Sequence, residues 1–154
     1  MSSRSRLVAG VLLILMPAVV YGGTSILSLL VGNPEYADNQ LRQDLWRAGH
    51  AHAGVLLVLA LVTLRYVDEA TLPGAFKSFV RHSIPAAAVL FPAAFFLSVL
   101  SPEATEPNAL INLAYVGAVS LAAGLLVLAP LALSGLVLAF TPVWWIFTTY
   151  LGSG

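Results

Sequence analysis

The sequence predicts an all-α fold: a polytopic transmembrane helix bundle of four spans, followed by an apolar, aromatic C-terminal segment. Three observations carry this. Of the 154 residues, 59% are hydrophobic and only 9% are charged, against about 25% charged in a soluble domain. A chain this short cannot enclose that much apolar surface in a core of its own, so the solvent for the remainder is the lipid bilayer. The apolar residues also fall in runs of about 20, the length that crosses bilayer hydrocarbon as a helix, separated by polar segments. In this reading residues 1–154 form a single transmembrane helical domain.

The first span is predicted over 7–31. It is too long for a signal-peptide core and has no small-x-small cleavage site after it, so it is read as retained. Pro17 and the pair Gly22-Gly23 interrupt it, and such breakers are tolerated in membrane helices. A polar loop opened by Asn33-Pro34 leads to the second span, 45–66, with Trp46 and Tyr66 at the depths where amphipathic rings prefer the interface. After a turn, Phe76, Phe79 and Val80 oppose Lys77 and Arg81. This amphipathic stretch is expected to lie on the membrane surface before the third span, 83–100. Residues 101–108, with two prolines and two glutamates, form a loop, and the fourth span is predicted over 109–133. The chain stays apolar to Leu151, too far for one helix: about 43 residues would reach about 64 Å, twice the hydrocarbon thickness. Either Pro130 and Ser134-Gly135 turn the chain into a fifth span, or Thr141 caps a short helix with Pro142 in its first turn. In the second reading, which is preferred, segment 136–151 lies at the interface with Trp144, Trp145 and Tyr150.

Lys and Arg are enriched in cytoplasmic segments. Arg4, Arg6, Arg65, Lys77 and Arg81 fall on one side of these spans, and Arg42 and Arg47 on the other. This predicts a multi-pass protein of the cell membrane with its N-terminus in the cytoplasm. A formal net charge of zero offers nothing to nucleic acid. The absence of cysteine excludes disulfides, thiolate metal sites and c-type haem attachment.

The predicted spans contain no Asp, Glu, Lys or Arg in their apolar interiors, which argues against a proton relay through the bilayer centre. His50 and His52 stand out at the start of the second span. Residues two apart differ by about 200° around a helix, so the two imidazoles point to nearly opposite sides. Small neighbours (Ala48, Gly49, Ala51, Ala53 and Gly54) leave room for a close helix or a flat group. On the first span Tyr21, Thr24, Ser25 and Ser28 form a polar stripe, and on the fourth Asn108, Asn112 and Tyr115 recur at helical spacing. Together with Arg47 these are expected to converge on an outward-facing polar pocket around the histidines, with Glu103 and Glu106 above it. His50, His52, Glu103 and Glu106 are the candidate ligands of a divalent metal. The plainer reading stands beside this one: polar side chains in membrane bundles often only bond across helices, at roughly 0.6 kcal/mol each. Asn108 is placed to cap a helix, and His82 beside Arg81 reads as interfacial.

The run Gly49-His50-Ala51-His52-Ala53-Gly54 resembles the His-x-His helix of the haem–copper oxidase and nitric-oxide reductase catalytic subunits. That resemblance implies haem bound by His50 and His52 on opposite sides of one helix. It covers about eight residues. The family carries further histidines on other helices. Here only His82 remains, predicted at the opposite face, so a haem would be five-coordinate or shared across an oligomer. The chain as a whole resembles small bacterial multi-spanning membrane proteins. Three functional readings follow: a haem-, metal- or small-ligand-binding protein; a structural subunit of a homo-oligomer or larger membrane complex; and a small-molecule channel or transporter. No serine sits in a nucleophile elbow and no carboxylate pair lies within the spans; a histidine with Asp44 or a loop glutamate as partner is the one general-base arrangement the sequence leaves open.

Overall fold

A computed structural model describes residues 1–129. The protein is an all-α bundle, with four helices long and apolar enough to cross a membrane. Helix α1 (Ser3–Gly32) is capped by Ser2, whose hydroxyl accepts the Ser5 N–H. Asn33 ends α1 and caps the single turn α2 (Pro34–Ala37), with Pro34 at its first position. Asn39 caps α3 (Gln40–Glu69), and its side-chain amide also donates to the Pro102 and Ala104 carbonyls at 2.9 and 3.0 Å. The loop after the third span is thereby tied to the start of the second. Helix α4 spans Gly74–Leu97. The fourth span, α5 (Ala109–Ala129), opens with a 3-10 turn over Ala109–Asn112. The end of the predicted fourth span and the choice between a fifth span and an interfacial segment at 136–151 lie outside the described residues.

Helices α1 and α3 outrun their predicted spans at both ends, and α4 starts nine residues before its predicted span and ends three residues short of it. At 30 residues, α3 is about 45 Å long against about 30 Å of hydrocarbon, so its polar ends project past the apolar section. The surface-lying stretch at 76–81 is corrected. It forms the opening turns of α4, continuous with the third span, and Val80 and Arg81 are 1% and 5% exposed. A buried partner for Arg81, described below, removes the reason for it to seek water.

Helix α3 is the axis of the bundle. Leu56, Leu57, Ala60, Leu64 and Val67 line its core face, spaced as an amphipathic helix requires. Against them pack Leu12 of α1, Val80, Ile84 and Ala88 of α4, and Leu128 of α5. Glycines set the closest approaches, as expected where helices pack in lipid. A Cβ on Gly49 would lie 3.1 Å from Phe96, one on Gly117 3.0 Å from Phe91, and one on Gly124 2.5 Å from the Ser83 hydroxyl. Helix α1 rests mainly on α3 and scarcely touches α4. Only Ser5 and Leu12 of its 30 residues are buried.

Candidate functional site

The two histidines leave α3 on different sides, as their spacing requires. His50 faces α1: a Cβ on Gly23 would lie 2.8 Å from its Nε2, and one on Gly22 3.9 Å from its Nδ1. Two residues read from sequence as helix breakers are therefore the platform for an imidazole. His52 faces α4, stacked 5.3 Å from Phe91 at 13° and 5.2 Å from Phe95. Its Nδ1 lies 2.7 Å from the Ala48 carbonyl. A carbonyl only accepts, so Nδ1 is the donor in this contact. Unlike the rings of His52 and His82, that of His50 makes no hydrogen bond with a described residue.

His50 borders a crevice of about 240 Å³. Leu15, Val19 and Gly22 of α1 form one wall, and Val89, Pro92 and Phe96 of α4 form the other. Ala53 and Leu57 of α3 lie between the walls. Among the described residues the imidazole is the one polar side chain in this lining, so the polar pocket expected from sequence is corrected to an apolar crevice with a single polar group. None of Tyr21, Thr24, Ser25, Ser28, Arg47, Asn108, Asn112 or Tyr115 lines it.

Helical phase explains where those residues went. Measured from Leu12, Val19 and Gly23, which face α3, Tyr21 lies about 180° around α1, and it is 74% exposed. The Thr24 and Ser25 hydroxyls donate back to the Tyr21 carbonyl at 2.8 and 2.9 Å, and Ser28 is exposed. On α5, Gly117, Ser120 and Gly124 face α4, which turns Tyr115 outward at 71% exposure. Asn108 caps the 3-10 turn, accepting the Leu110 N–H, and donates to the Leu97 carbonyl. Asn112 donates to the Ala109 carbonyl. Arg47 donates to Gln43 at 2.7 Å. Glu103 and Glu106 are exposed in the loop, and among the described residues no three His, Asp or Glu side chains gather within reach of one ion. The four proposed metal ligands are thus not brought together.

Nor does a haem fit as the side chains stand. Gly23 abuts the His50 ring edge and two phenyl rings cover His52. The crevice is also smaller than the roughly 300–1,000 Å³ typical of pockets for drug-sized ligands.

Two polar clusters were missed from sequence. At the end of the bundle carrying the N-terminus, Asp68 accepts the Ser2 N–H at 2.6 Å and the Ser5 hydroxyl at 2.8 Å. It pairs with Arg81 at 3.2 Å, and the Arg81 Nε donates to the Ser5 oxygen at 2.9 Å. A signal existed. Continuing the α3 stripe Leu57, Ala60, Leu64 by four residues lands on Asp68, and Arg81 stands three before Ile84. At the opposite end Arg42, 8% exposed, donates to the Val99 carbonyl at 3.2 Å and lies 4.8 Å from the Trp46 ring. Tyr36 packs 5.4 Å from Trp46. Burial pushes the Tyr36 phenol above its usual pKa, against the pull of Arg47 and Arg42.

Among the described residues, fold and site together define an all-α bundle with four helices long and apolar enough to cross a membrane, and one imidazole presented to an apolar crevice. No family model, curated protein or solved structure matches the chain.

Gly23→Ala tests the contact. Its methyl would sit 2.8 and 2.9 Å from the Nε2 and Cε1 atoms of His50, and a ring at the end of a side chain can swing away. The NMR ring signals of His50 are expected to shift while those of His52 stay in place and the protein remains folded. Unmoved His50 signals would refute the packing.

Proposed function

We propose that this protein binds a small, largely apolar ligand in the crevice between α1, α3 and α4, with His50 bonding the ligand's polar group. One observation carries the reading: His50 makes no hydrogen bond with a described residue, yet among the described residues it is the only polar side chain in the crevice lining. Binding sites are commonly apolar with a few placed polar groups, and a neutral imidazole can donate or accept. Mass spectrometry of the organic extract of the purified protein tests it. A near-stoichiometric compound is expected with the wild type and with His52→Ala, and recovery reduced at least tenfold with His50→Phe. Equal recovery from all three would end the reading. A Soret band in the wild type that is lost in His50→Phe would replace the small ligand by the haem that the His-x-His run suggested.

A second reading is assembly with further copies or a larger membrane complex. It is favoured by α1, which buries two of its 30 residues. A detergent-solubilised mass equal to one chain would remove it.

The excess of Lys and Arg at the Ser2 end supports a cytoplasmic N-terminus in the cell membrane. Because the chain has no cysteine, single cysteines report topology cleanly. On intact cells a membrane-impermeant thiol reagent is expected to label Thr105→Cys and to spare Ser3→Cys. The reverse pattern would invert the protein.

A further inference from the structure

Resting on the reading of His50 as the ligand-binding group, we infer that the ligand is a single-chain amphiphile. It enters sideways from the bilayer between α1 and α4 and brings a small oxygen-bearing head to His50.

The crevice is closed behind and open in front. Its floor is buried, with Leu57 2% and Ala53 8% exposed. Its rim is exposed on both helices: Leu15 of α1 at 37% and Val89 of α4 at 53%. The gap exists because α1 and α4 both rest on α3 and scarcely meet each other. Leu15 lies 12 residues from the start of α1 and 17 from its end, about 18 and 26 Å. A mouth at that depth faces hydrocarbon, not water. What reaches it by diffusion is dissolved in the lipid.

The interior selects within that class. From Leu15 to Gly22 the α1 wall runs about 10 Å and offers only aliphatic surface and glycine, which suits one hydrocarbon chain. The single polar contact stands at the Gly22 end. His50 lies three residues past Arg47, the last charged residue before the apolar run of α3, about 4.5 Å further along the helix. A zwitterionic phospholipid head drawn to that depth would lose its hydration with one imidazole as replacement. A carboxyl or hydroxyl loses far less and can be satisfied by one hydrogen bond.

The sequence supplies the tools for a test. Of the three tryptophans, Trp144→Phe and Trp145→Phe leave only Trp46. It stands one helical turn before His50, with its ring 5.9 Å from that of Phe96 in the crevice wall. Cysteines introduced as Leu15→Cys and Val89→Cys are the only thiols and can be joined by a reducible bifunctional reagent across the mouth. The probe is a fatty acid brominated in mid-chain, added to this single-tryptophan protein in nanodiscs. Saturable quenching of Trp46 is expected, competed by the unbrominated acid. Its apparent affinity should fall at least tenfold in His50→Ala and in the cross-linked protein, and recover when the cross-link is reduced. Saturable quenching lost in His50→Ala but indifferent to the cross-link overturns the lateral mouth and leaves the His50 site standing. Quenching indifferent to His50→Ala overturns the His50 reading itself. No saturable quenching, in a protein that still yields a His50-dependent compound on extraction, overturns the single-chain class alone.

Discussion

Asp68→Ala is expected to cost about 3–5 kcal/mol of stability, the range for stripping one partner from a buried ion pair. The loss is large because Asp68 is the shared acceptor of three helices. Ser2 and Ser5 donate to it from the start of α1, Arg81 pairs with it from α4, and it is itself part of α3. Without the carboxylate, Arg81 keeps the Ser5 oxygen as its only described partner while its side chain stays 6% exposed. An uncompensated guanidinium in that position is the costly species, not the absence of attraction. The double variant Asp68→Leu/Arg81→Met should therefore recover most of the loss, since apolar replacement of a whole buried pair is often neutral. Unfolding by SDS titration in mixed micelles, run as a double-mutant cycle, measures both. A single-variant loss below about 1 kcal/mol, the ceiling for exposed pairs, would show that water reaches the cluster.

Gly124→Leu should separate α5 from α4, at a cost of about 1–3 kcal/mol by overpacking. A Cβ on Gly124 would lie 2.5 Å from the Ser83 hydroxyl and 2.8 Å from Cγ1 of Ile84. Both atoms sit next to the α4 backbone and cannot swing clear as a long side chain would. Helix α5 must move instead, and the 2.9 Å bond from the Ser120 hydroxyl to the Ser83 carbonyl is lost with it. Opposing this, replacing a mid-helix glycine gains up to about 1 kcal/mol of helix propensity, so the net sign is destabilising. Gly10→Ala is the control. Nothing stands within 4 Å of its added methyl, and propensity alone should leave it neutral or slightly stabilised. If Gly124→Leu behaved like Gly10→Ala in the same titration, the α4–α5 contact would be refuted.

Among the described residues, the four long apolar helices were legible from residue order. Whether a segment enters lipid depends on its summed transfer free energy, a property of the segment that needs no neighbour. The opposed directions of His50 and His52 were legible too, because 3.6 residues per turn is geometry local to one helix. Facing was not. In a soluble helix the apolar stripe points inward. In a bilayer the outward face is apolar as well, so α1 carries no stripe that marks the side resting on α3. The polar residues of α1 could then be mistaken for a lining when they face away. For the same reason Arg81 was assigned to water, since its acceptors, the partly buried Asp68 and the buried Ser5, come from 13 and 76 positions away in the chain. The sequence alone determined a lipid-embedded helical protein with two imidazoles on opposite flanks of its second span. Tertiary packing alone decided that one of them meets a glycine platform and an apolar crevice, and that three helices are pinned at one end by a single carboxylate. Which groups meet across helices is set by close packing between segments distant in sequence, and hydrophobicity along the chain does not encode it.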